Sequence, residues 1–469
     1  MASPPEVDLA EYERLRAENI RLKEIILASA RRKADDLSSA IKSSEPPAAR
    51  RRTIRLSQSP PDAQPAPPTP TPSKRRAPKP TPSQRHGRKP TPSRQRAPKP
   101  ALSPTPMPRS TTFSSSLAST ILDAVSLSPG AAKLRADGFD AGKELVLRPT
   151  NTRKLLPNRI PALLVLPLVD RTVVAAGNIL GNVGFWHADR EPGVAETDGV
   201  FEYLPHQGPV AAIVAHPALP HKIYSCSHGG EICHMDVEKE SFNIIHSCDY
   251  PVYSLCQAPD SASCLYFGGA NGTLKLSDER MGKVSTTWDS HDNAVNSIDF
   301  HPEKKHMLAT SSTDKTARVW DLRRLQENNK YCLKVLQHDS SVQSAYFSPS
   351  GRMLATTSLD DTVRVFEGDD FDSSHIINHN NQTGRWISSF KAIWGWNDTD
   401  LFIGNMKRAI DVISVGSSSD GGGLISAPRS ACLQSQHMTT IPCRLSAHPY
   451  KVGHLVCASS GSVFLWTRA

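Results

Sequence analysis

Short runs of alternating apolar and polar residues repeat along the second half of the chain. The clearest unit is HDNAVNSIDFHPEKKHMLATSSTDKTARVWDLR, residues 291–323. AVNSIDF, MLATSS and TARVWD have the composition and alternation of strands, and HPEKK and TDK between them are typical of turns. The next unit, residues 338–368, has the same order. The pattern therefore predicts antiparallel sheets built from consecutive short strands.

Weaker copies of this unit begin at Ile160, His206, Cys248, Arg385 and Thr440. The residues at the position of Trp320 recur at spacings of 42 to 53 and are Trp186, Met235, Ser277, Trp320, Phe366, Ile413 and Trp466. A period in the forties with four strands per repeat is typical of a β-propeller. The predicted fold class is all-β, a seven-bladed WD-repeat β-propeller over residues 141–469.

The two ends of this region are predicted to close the ring. The chain ends just after Trp466, at the end of a third strand, so the seventh blade lacks its outer strand. KELVLRP, residues 143–149, directly precedes the first blade. We expect this segment to supply the missing strand.

Two further regions precede the propeller. EYERLRAENIRLKEIILA, residues 11–28, has apolar residues at three-to-four spacing, which predicts an amphipathic helix within residues 1–30 that docks on a partner or on its own body. Residues 31–140 are predicted to be a disordered, basic linker rich in Pro, Ser and Thr. Within it, KRRAPKPTPS, QRHGRKPTPS and RQRAPKPALS repeat with a ten-residue period over residues 74–103.

Positive charge is concentrated in this linker. Residues 47–110 contain 15 lysines and arginines and one acid, Asp62, whereas residues 111–469 carry 32 basic and 36 acidic side chains. An extended basic segment can bind phosphates without reading sequence. It can equally serve as a nuclear import signal, and both interpretations stay open.

The sequence predicts neither a metal site nor an enzyme. The nine cysteines form no CxxC pair, which favours a reducing, intracellular compartment. Cys226, His228, Cys233 and His234 lie in CSHGGEICH, where a hairpin with a Gly-Gly turn explains the pattern better than a metal site. We find no nucleophile–base pairing, no phosphate-binding glycine loop and no run long enough to span a membrane. We expect no cofactor, no small-molecule substrate and no membrane partner.

The top face of the propeller carries the candidate DNA-binding residues. In a blade, the turns after the first and third strands lie on the bottom face; the turn after the second strand and the crossings between blades lie on the top face. HNNQTGRW, residues 379–386, precedes the expected inner strand WISSFKAIW, and KRA follows the second strand of the same blade. The candidates are His379, Asn380, Asn381, Arg385, Trp386, Lys407 and Arg408. Basic groups beside an aromatic ring suit a phosphate backbone and an exposed base, although Trp386 could instead be core and Arg385 could bond a carbonyl.

The bottom face carries a candidate docking pair. WDLR places Arg323, after Asp321, just past a third strand, and LSDER repeats the pattern in the preceding blade with Asp278 and Arg280. Two arginines on one face suit an acidic or carbonyl-rich partner. By contrast, the signature residues His291, Ser312, Asp314 and Trp320 are expected to be buried structural partners.

Three stretches together resemble one known family. HNNQTGRWISSFKAIW, YERLRAENIRLKEIILAS and VAAGNILGNVGFW are similar to the WD repeat-containing protein 76 family, whose fungal members are called DNA damage-binding protein Cmr. That family is related to damage-specific DNA-binding protein 2. The resemblance covers the propeller and the N-terminal helix but not the basic linker. One departure is WGWNDTD at 394–400, where the family usually has Trp-His-Pro.

The resemblance implies a nuclear, non-enzymatic propeller that binds DNA and chromatin, with a preference for damaged or modified DNA. It also implies docking to damage-binding protein 1 of a Cullin-4 ubiquitin ligase, through Asp321 and Arg323, with Asp278 and Arg280 as a weaker copy. The leading hypothesis is therefore a DNA-damage adaptor. The alternative is a protein-only scaffold that binds a histone or other peptide, with the basic linker serving import.

Overall fold

The structure, a computed structural model, describes residues 117–124, 136, 138–190, 199–216, 218–281, 283–325, 332–368, 370–384, 387–415 and 429–469. The predicted helix within residues 1–30 and most of the predicted linker lie outside these residues. No helix in the described ranges is long and apolar enough to cross a bilayer.

Seven four-stranded antiparallel sheets make up the described part of the chain, which confirms the predicted propeller. The chain begins its sheets with β1 (Leu145–Lys154). Blade 1 contains β2 (Ala162–Val165), β3 (Val173–Gly177), β4 (Val183–His187) and β5 (Val200–Tyr203). Blade 2 contains β6 (Val210–His216), β7 (Leu219–Ser227), β8 (Glu231–Asp236) and β9 (Ser241–Ser247). Blade 3 contains β10 (Val252–Gln257), β11 (Cys264–Gly269), β12 (Thr273–Asp278) and β13 (Lys283–Asp289).

The remaining blades follow the same order. Blade 4 contains β14 (Val295–Phe300), β15 (Met307–Ser312), β16 (Thr316–Asp321) and β17 (Lys334–Gln337). Blade 5 contains β18 (Val342–Phe347), β19 (Met353–Ser358), β20 (Thr362–Glu367) and β21 (Ser373–Asn378). Blade 6 contains β22 (Ile393–Trp394), β23 (Asp400–Gly404), β24 (Ile410–Ser414) and β25 (Arg429–Leu433). Blade 7 contains β26 (Arg444–Ala447), β27 (Leu455–Ser459), β28 (Ser462–Arg468) and, as its outer strand, β1.

The blades share one register. Each residue at the Trp320 position pairs with an apolar residue of the second strand in its own blade; the seven partners are Val174, Ile223, Leu265, Leu308, Leu354, Leu401 and Leu455. Six of the seven residues at this position are large and apolar, and the strands around them are buried. A recurring apolar pair between the second and third strands therefore fills the space between neighbouring blades.

The ring closes as the sequence predicts. β1 pairs antiparallel with β28, with Leu145 opposite Arg468 and Leu147 opposite Trp466. Leu145 and Leu147 are buried in the same apolar cluster as Trp466. The N-terminal end of the propeller thus completes the blade that the C-terminal end begins.

Blade 6 departs from the expected pattern. WISSFKAIW was predicted to be a full inner strand, but only Ile393–Trp394 pairs with β23. Upstream, the Ala392 N–H donates to the Thr357 hydroxyl of blade 5 at 2.9 Å instead of to a strand partner. A side-chain acceptor from the neighbouring blade thus replaces a backbone acceptor of β23. The expectation of a long inner strand in blade 6 is wrong.

A short helix lies where the sequence predicted only linker. α1 (Leu117–Leu122) buries Leu117 and Ile121 in the apolar cluster of blades 1 and 2. Its Ala118 N–H donates to Glu240 Oε1 at 2.9 Å, and its Thr120 carbonyl accepts from Arg171 Nη1 at 3.0 Å. A second short helix, α2 (Ala141–Glu144), begins after the N-cap Asp140 and leads into β1. The linker prediction is therefore wrong for residues 117–122.

Candidate nucleic-acid interface

The first half of the HNNQTGRW loop is fastened to blade 5. Asn381 is fully buried, and its side-chain amide donates to the carbonyls of Ser358 (2.8 Å) and Thr362 (3.0 Å). The N–H groups of Asn381 and Gln382 both donate to Asp361 Oδ1, at 2.9 and 3.1 Å. This half of the loop is held by bonds that stabilise the fold.

His379 connects this loop to blade 6. Its Nδ1 lies 2.7 Å from Asn381 Oδ1, and its Nε2 lies 3.2 Å from Asp411 Oδ2. The other Asp411 oxygen accepts from Asn405 Nδ2 at 2.8 Å. The loop and the turn after β23 are thus joined on the top face by one hydrogen-bonded chain.

That turn presents two cations to solvent. Asn405 Oδ1 accepts from the N–H groups of Lys407 (2.8 Å) and Ala409 (3.1 Å), which folds residues 405–409 tightly. Arg408 has a φ of +62°, in the left-handed region. Lys407 and Arg408 are both exposed, and neither makes an ion pair with another described residue.

The left-handed position of Arg408 recurs in every blade. The corresponding residues are Gly181, Gly230, Gly272, Lys315, Asp361 and Gly461, all with positive φ. At Gly272 a Cβ atom would lie 2.2 Å from the His291 carbonyl oxygen, so this glycine cannot be replaced without a shift. Blades 4, 5 and 6 have Lys315, Asp361 and Arg408 at this position, and Arg408 is exposed there.

The predicted top-face residues fall into three groups. His379 and Asn381 are structural in their contacts, whereas Asn380, Lys407 and Arg408 are exposed on one face. Arg385 and Trp386 lie outside the described residues. Asp339, whose side chain is 92% exposed, lies in the crossing that leads into blade 5 on the same face, with Oδ2 3.7 Å from Arg364 Nη2.

The WDLR box forms a compact ion pair on the bottom face. Arg323 donates from Nε to Asp321 Oδ1 (2.9 Å) and from Nη2 to Asp321 Oδ2 (2.7 Å), and its backbone N–H also donates to Oδ1. The hydrogen bonds from Arg323 lower the pKa of the Asp321 carboxyl to about 2. Asp321 is buried, but the Arg323 side chain is 65% exposed, so most of the guanidinium surface is open to solvent.

Blade 3 repeats this arrangement. Arg280 donates to Asp278 from Nε (3.1 Å), Nη2 (2.7 Å) and its backbone N–H (3.0 Å). Its side chain is exposed like that of Arg323. Both arginines therefore stand at the same place in adjacent blades, on the face opposite Lys407.

The signature residues of blade 4 form a buried network. His291 Nδ1 lies 2.8 Å from Asp314 Oδ2, and His291 Nε2 lies 2.7 Å from Thr310 Oγ1, which also accepts from Trp320 Nε1 at 2.8 Å. The hydroxyl shared by the histidine and the tryptophan is therefore that of Thr310. Ser312 instead donates to the Asn293 carbonyl and accepts from Asp314 N. Burial lowers the pKa of His291, and the hydrogen bond to Asp314 opposes that shift.

Comparisons with known proteins agree with this geometry. A family model described as "WD domain, G-beta repeat" matches residues 282–321 and 330–367. The DNA damage-binding protein CMR1 of Chaetomium globosum is 29% identical over 353 residues, which cover 67% of this chain and 65% of that protein. The cmr1 proteins of Aspergillus terreus (28% over 359 residues) and Neurospora crassa (28% over 353) each match 67% of this chain and 65% and 66% of their own length. The predicted resemblance to the Cmr proteins is confirmed.

The similarity to the CMR1 proteins covers only part of their length. The chain spans slightly less than two thirds of the first two of these relatives, so their whole activity does not pass to this chain by similarity alone. A WD-repeat propeller and relatives named for DNA-damage binding point to a binding protein or scaffold.

Two functional candidates inside the propeller were missed from the sequence. Lys391 and Arg444 lie at equivalent positions of blades 6 and 7, where the other blades have the small residues Ala162, Ala212, Ser254, Ser297 and Ser344. Lys391 Nζ donates across the interior to the Asn296 carbonyl of blade 4 at 3.0 Å. Arg444 donates to the carbonyls of Pro161, Ser389 and Cys443. Aligning the inner strands by register would have shown these two cations against the small residues.

These two cations have only neutral partners among the described residues. Burial, together with the charge of Arg444, lowers the pKa of the Lys391 ammonium to about 7. Burial also lowers the pKa of Arg444. Two basic side chains therefore occupy the interior of the propeller at this level.

The cysteine-rich stretch CSHGGEICH is a hairpin. Cys226 lies near the end of β7 and Cys233 lies in β8, and both side chains are buried. Cys233 Sγ lies 3.8 Å from His206 Nδ1, a contact within the blade. No cluster of three or more His, Cys, Asp and Glu side chains able to hold a metal occurs in the described ranges.

Proposed function

We propose that this protein is a nuclear, non-catalytic adaptor that binds DNA and chromatin in the DNA damage response. The observation that carries the proposal is the exposed pair Lys407 and Arg408 on the top face, in a chain similar to proteins named for DNA-damage binding. Neighbouring cations without carboxylate partners can neutralise phosphates and release their counterions. Arg408 also offers a planar donor for a phosphate oxygen.

The arrangement of the loop supports a positioning role for the neighbouring residues. The hydrogen bonds that the Asn381 and Gln382 N–H groups donate to Asp361 Oδ1 hold the start of the loop against blade 5. The His379–Asp411 contact holds its position relative to the Lys407 turn. We infer that this frame presents the exposed side chains of Asn380, Lys407 and Arg408 to one nucleic-acid backbone.

A charge-reversal experiment tests the proposal. The full-length protein with Lys407→Glu and Arg408→Glu is expected to bind a fluorescent duplex at least tenfold more weakly than wild type. The matched control is Lys304→Glu with Lys305→Glu, another exposed pair of lysines, in the bottom-face turn after β14. Equal losses for the two variants would show that only net charge matters, and would contradict a top-face site. Duplexes with and without a lesion measure any preference for damage.

We further propose that Arg323 docks the protein onto damage-binding protein 1 of a Cullin-4 ligase. Asp321 fixes the base of the arginine while leaving most of its surface open, which lowers the entropy lost on binding. Arg323→Ala is expected to reduce co-purification with damage-binding protein 1 severalfold, and Arg280→Ala to reduce it less. Undiminished co-purification of the Arg323 variant would remove this part of the proposal.

The alternative function is a protein-only scaffold that binds a histone or other peptide. The exposed carboxylate of Asp339 on the top face favours it, because a carboxylate repels phosphates and attracts basic peptides. Salt separates the two functions, since phosphate binding weakens steeply with salt. A shallow salt slope together with tight peptide binding would favour the scaffold.

A further inference from the structure

A cavity of about 1100 Å³ opens on the bottom face, among blades 5, 6 and 7. Its walls are the turns that follow the first strands of these blades, together with Phe139. Asp299 of blade 4 and Tyr346 of blade 5 line its inner end. The cavity therefore connects the bottom face with the interior of the propeller.

The charges of this cavity are negative. Two carboxylates, Asp299 and Asp398, line it, and no lysine or arginine does. Asp398 is already engaged, because it accepts from the Ser350 N–H (3.0 Å), from the Ser350 hydroxyl and from Arg352 Nη2 (3.1 Å). The histidine of the lining, His448, stays neutral because burial lowers its pKa to about 4.

Asp299 has no cationic partner among the described residues. Its Oδ2 accepts from the Phe347 N–H at 2.7 Å and its carboxylate also accepts from the Phe300 N–H, so both donors are neutral backbone amides. The Cys256 thiol and the Tyr346 hydroxyl interact electrostatically with Asp299 from the packed blades, and neither supplies a positive charge. Lys391 and Arg444 lie one level nearer the top face and bond only to carbonyl oxygens. A carboxylate held inside a protein without a counter-charge is costly, and burial raises the pKa of Asp299 to about 7.

Aromatic rings complete the lining. Phe139 and Trp396 meet edge to face with centroids 5.4 Å apart, and Tyr346, Trp394 and Tyr450 also contribute to the walls. Aromatic rings attract a cation and pack against the methylene groups of a long side chain. A carboxylate at the inner end and rings along the walls together match the chemistry of lysine and arginine.

We propose that this cavity receives a basic side chain, lysine or arginine, from a segment of a partner protein, and that Asp299 forms the ion pair with it. The inserted charge would compensate Asp299, and the rings would pack on the side-chain stem. This site lies on the face opposite Lys407, so it is independent of the proposed DNA site.

A peptide experiment on the full-length protein tests the proposal. Three pools of labelled nine-residue peptides carry lysine, arginine or glutamine at the centre and only uncharged residues elsewhere. Wild type is expected to bind the lysine or the arginine pool at least tenfold more tightly than the glutamine pool at pH 8. The comparison of the first two pools shows which cation the cavity prefers.

Two variants separate Asp299 from the general charge of the protein. Asp299→Asn keeps an acceptor for the Phe347 N–H and is expected to reduce the preference for a basic pool to less than about twofold. Asp339→Asn removes an exposed carboxylate from the top face and is expected to leave the preference intact. A preference that survives Asp299→Asn, or that Asp339→Asn abolishes equally, would overturn the proposal.

A further variant of the lining, Tyr450→Ala, keeps the proposal testable if Asp299→Asn does not fold. Tyr450→Ala removes a ring of the lining without changing charge and is expected to weaken both basic pools severalfold. The preference of wild type should also decline as the pH falls from 8 to 6, because protonation of Asp299 removes the negative charge. Equal binding of all three pools by folded wild type would refute the site.

Discussion

Asn381 shows how a single buried amide determines the course of a surface loop. It satisfies the carbonyls of Ser358 and Thr362 and the ring of His379 at once. In the sequence, this residue is one of several polar residues in an apparent loop. Its partners come from blade 5, some 20 positions earlier, and such contacts cannot be read from local spacing.

Asn381→Ala is therefore expected to destabilise the protein by about 2–4 kcal/mol, because buried acceptors lose their donors. Asn380→Ala, at the exposed neighbouring position, is expected to cost no more than about 0.5 kcal/mol. Urea denaturation followed by tryptophan fluorescence measures both values. Equal effects would mean that Asn381 does not anchor the loop.

The buried histidine of blade 5 gives a prediction about pH. Burial, aided by Arg364, lowers the pKa of His338 to about 4, below its ordinary value of 6.5. The unfolded chain then binds more protons than the folded chain between these values, so the stability due to His338 is complete above pH 6.5 and is lost as the pH falls toward 4. Acidification from pH 7 to pH 5 should cost about 1–2 kcal/mol at this residue.

His338→Gln removes the titrating group and keeps a polar side chain. The loss of unfolding free energy between pH 7 and pH 5 is expected to be smaller in this variant than in wild type by that amount. Denaturant titrations at the two pH values give the comparison. An identical loss in both proteins would show that His338 titrates normally in the folded state.

At the scale of elements, the closing strand β1 is the one whose pairing joins the two ends of the propeller. Leu147 lies opposite Trp466 and is buried in the cluster of blade 7. Leu147→Ala is expected to cost about 2–4 kcal/mol through lost burial and the cavity left behind. Thr150→Ala, at an exposed position of the same strand, is expected to cost less than about 0.5 kcal/mol. Thermal or urea unfolding distinguishes the two, and similar values would contradict the role of β1 in closure.

The repeated elements were predictable because the residue at the Trp320 position keeps its size and spacing from blade to blade. Two elements were not. In blade 6, the Ala392 N–H donates to the Thr357 hydroxyl of blade 5. The segment before Ile393 therefore does not pair with β23, although its sequence is like that of a strand. Helix α1 has only six residues, and its stability comes from packing of Leu117 and Ile121 on distant blades.

At the scale of the whole molecule, the buried ionisable side chains of the interior differ in type along the axis of the propeller. The basic Lys391 and Arg444 lie at one level inside it, and Asp299 lies one residue layer nearer the bottom face. The exposed cations Lys407 and Arg408 lie on the top face, and the Asp321–Arg323 pair lies on the bottom face. The two faces thus carry different exposed side chains, which suits the separate roles proposed for them.

The candidate site was predicted only in part. The position of Lys407 and Arg408 follows from counting strands in a blade, because the turn after a second strand lies on the top face. The position of Lys391 and Arg444 in the interior could not be predicted from one blade alone. It follows only when the strands of all blades are aligned, because the equivalent residues of the other blades are alanines and serines. Asp299 likewise appears in the sequence as an ordinary polar residue of an alternating strand.

The salt dependence of DNA binding tests the central claim most directly. Full-length wild type and the Lys407→Ala, Arg408→Ala variant would be titrated with one duplex at several salt concentrations. If these residues contact two phosphates, the slope of log K against log salt should fall in magnitude by roughly 1.8 in the variant. An unchanged slope and affinity would mean that DNA binds elsewhere on the chain, and would contradict the top-face site.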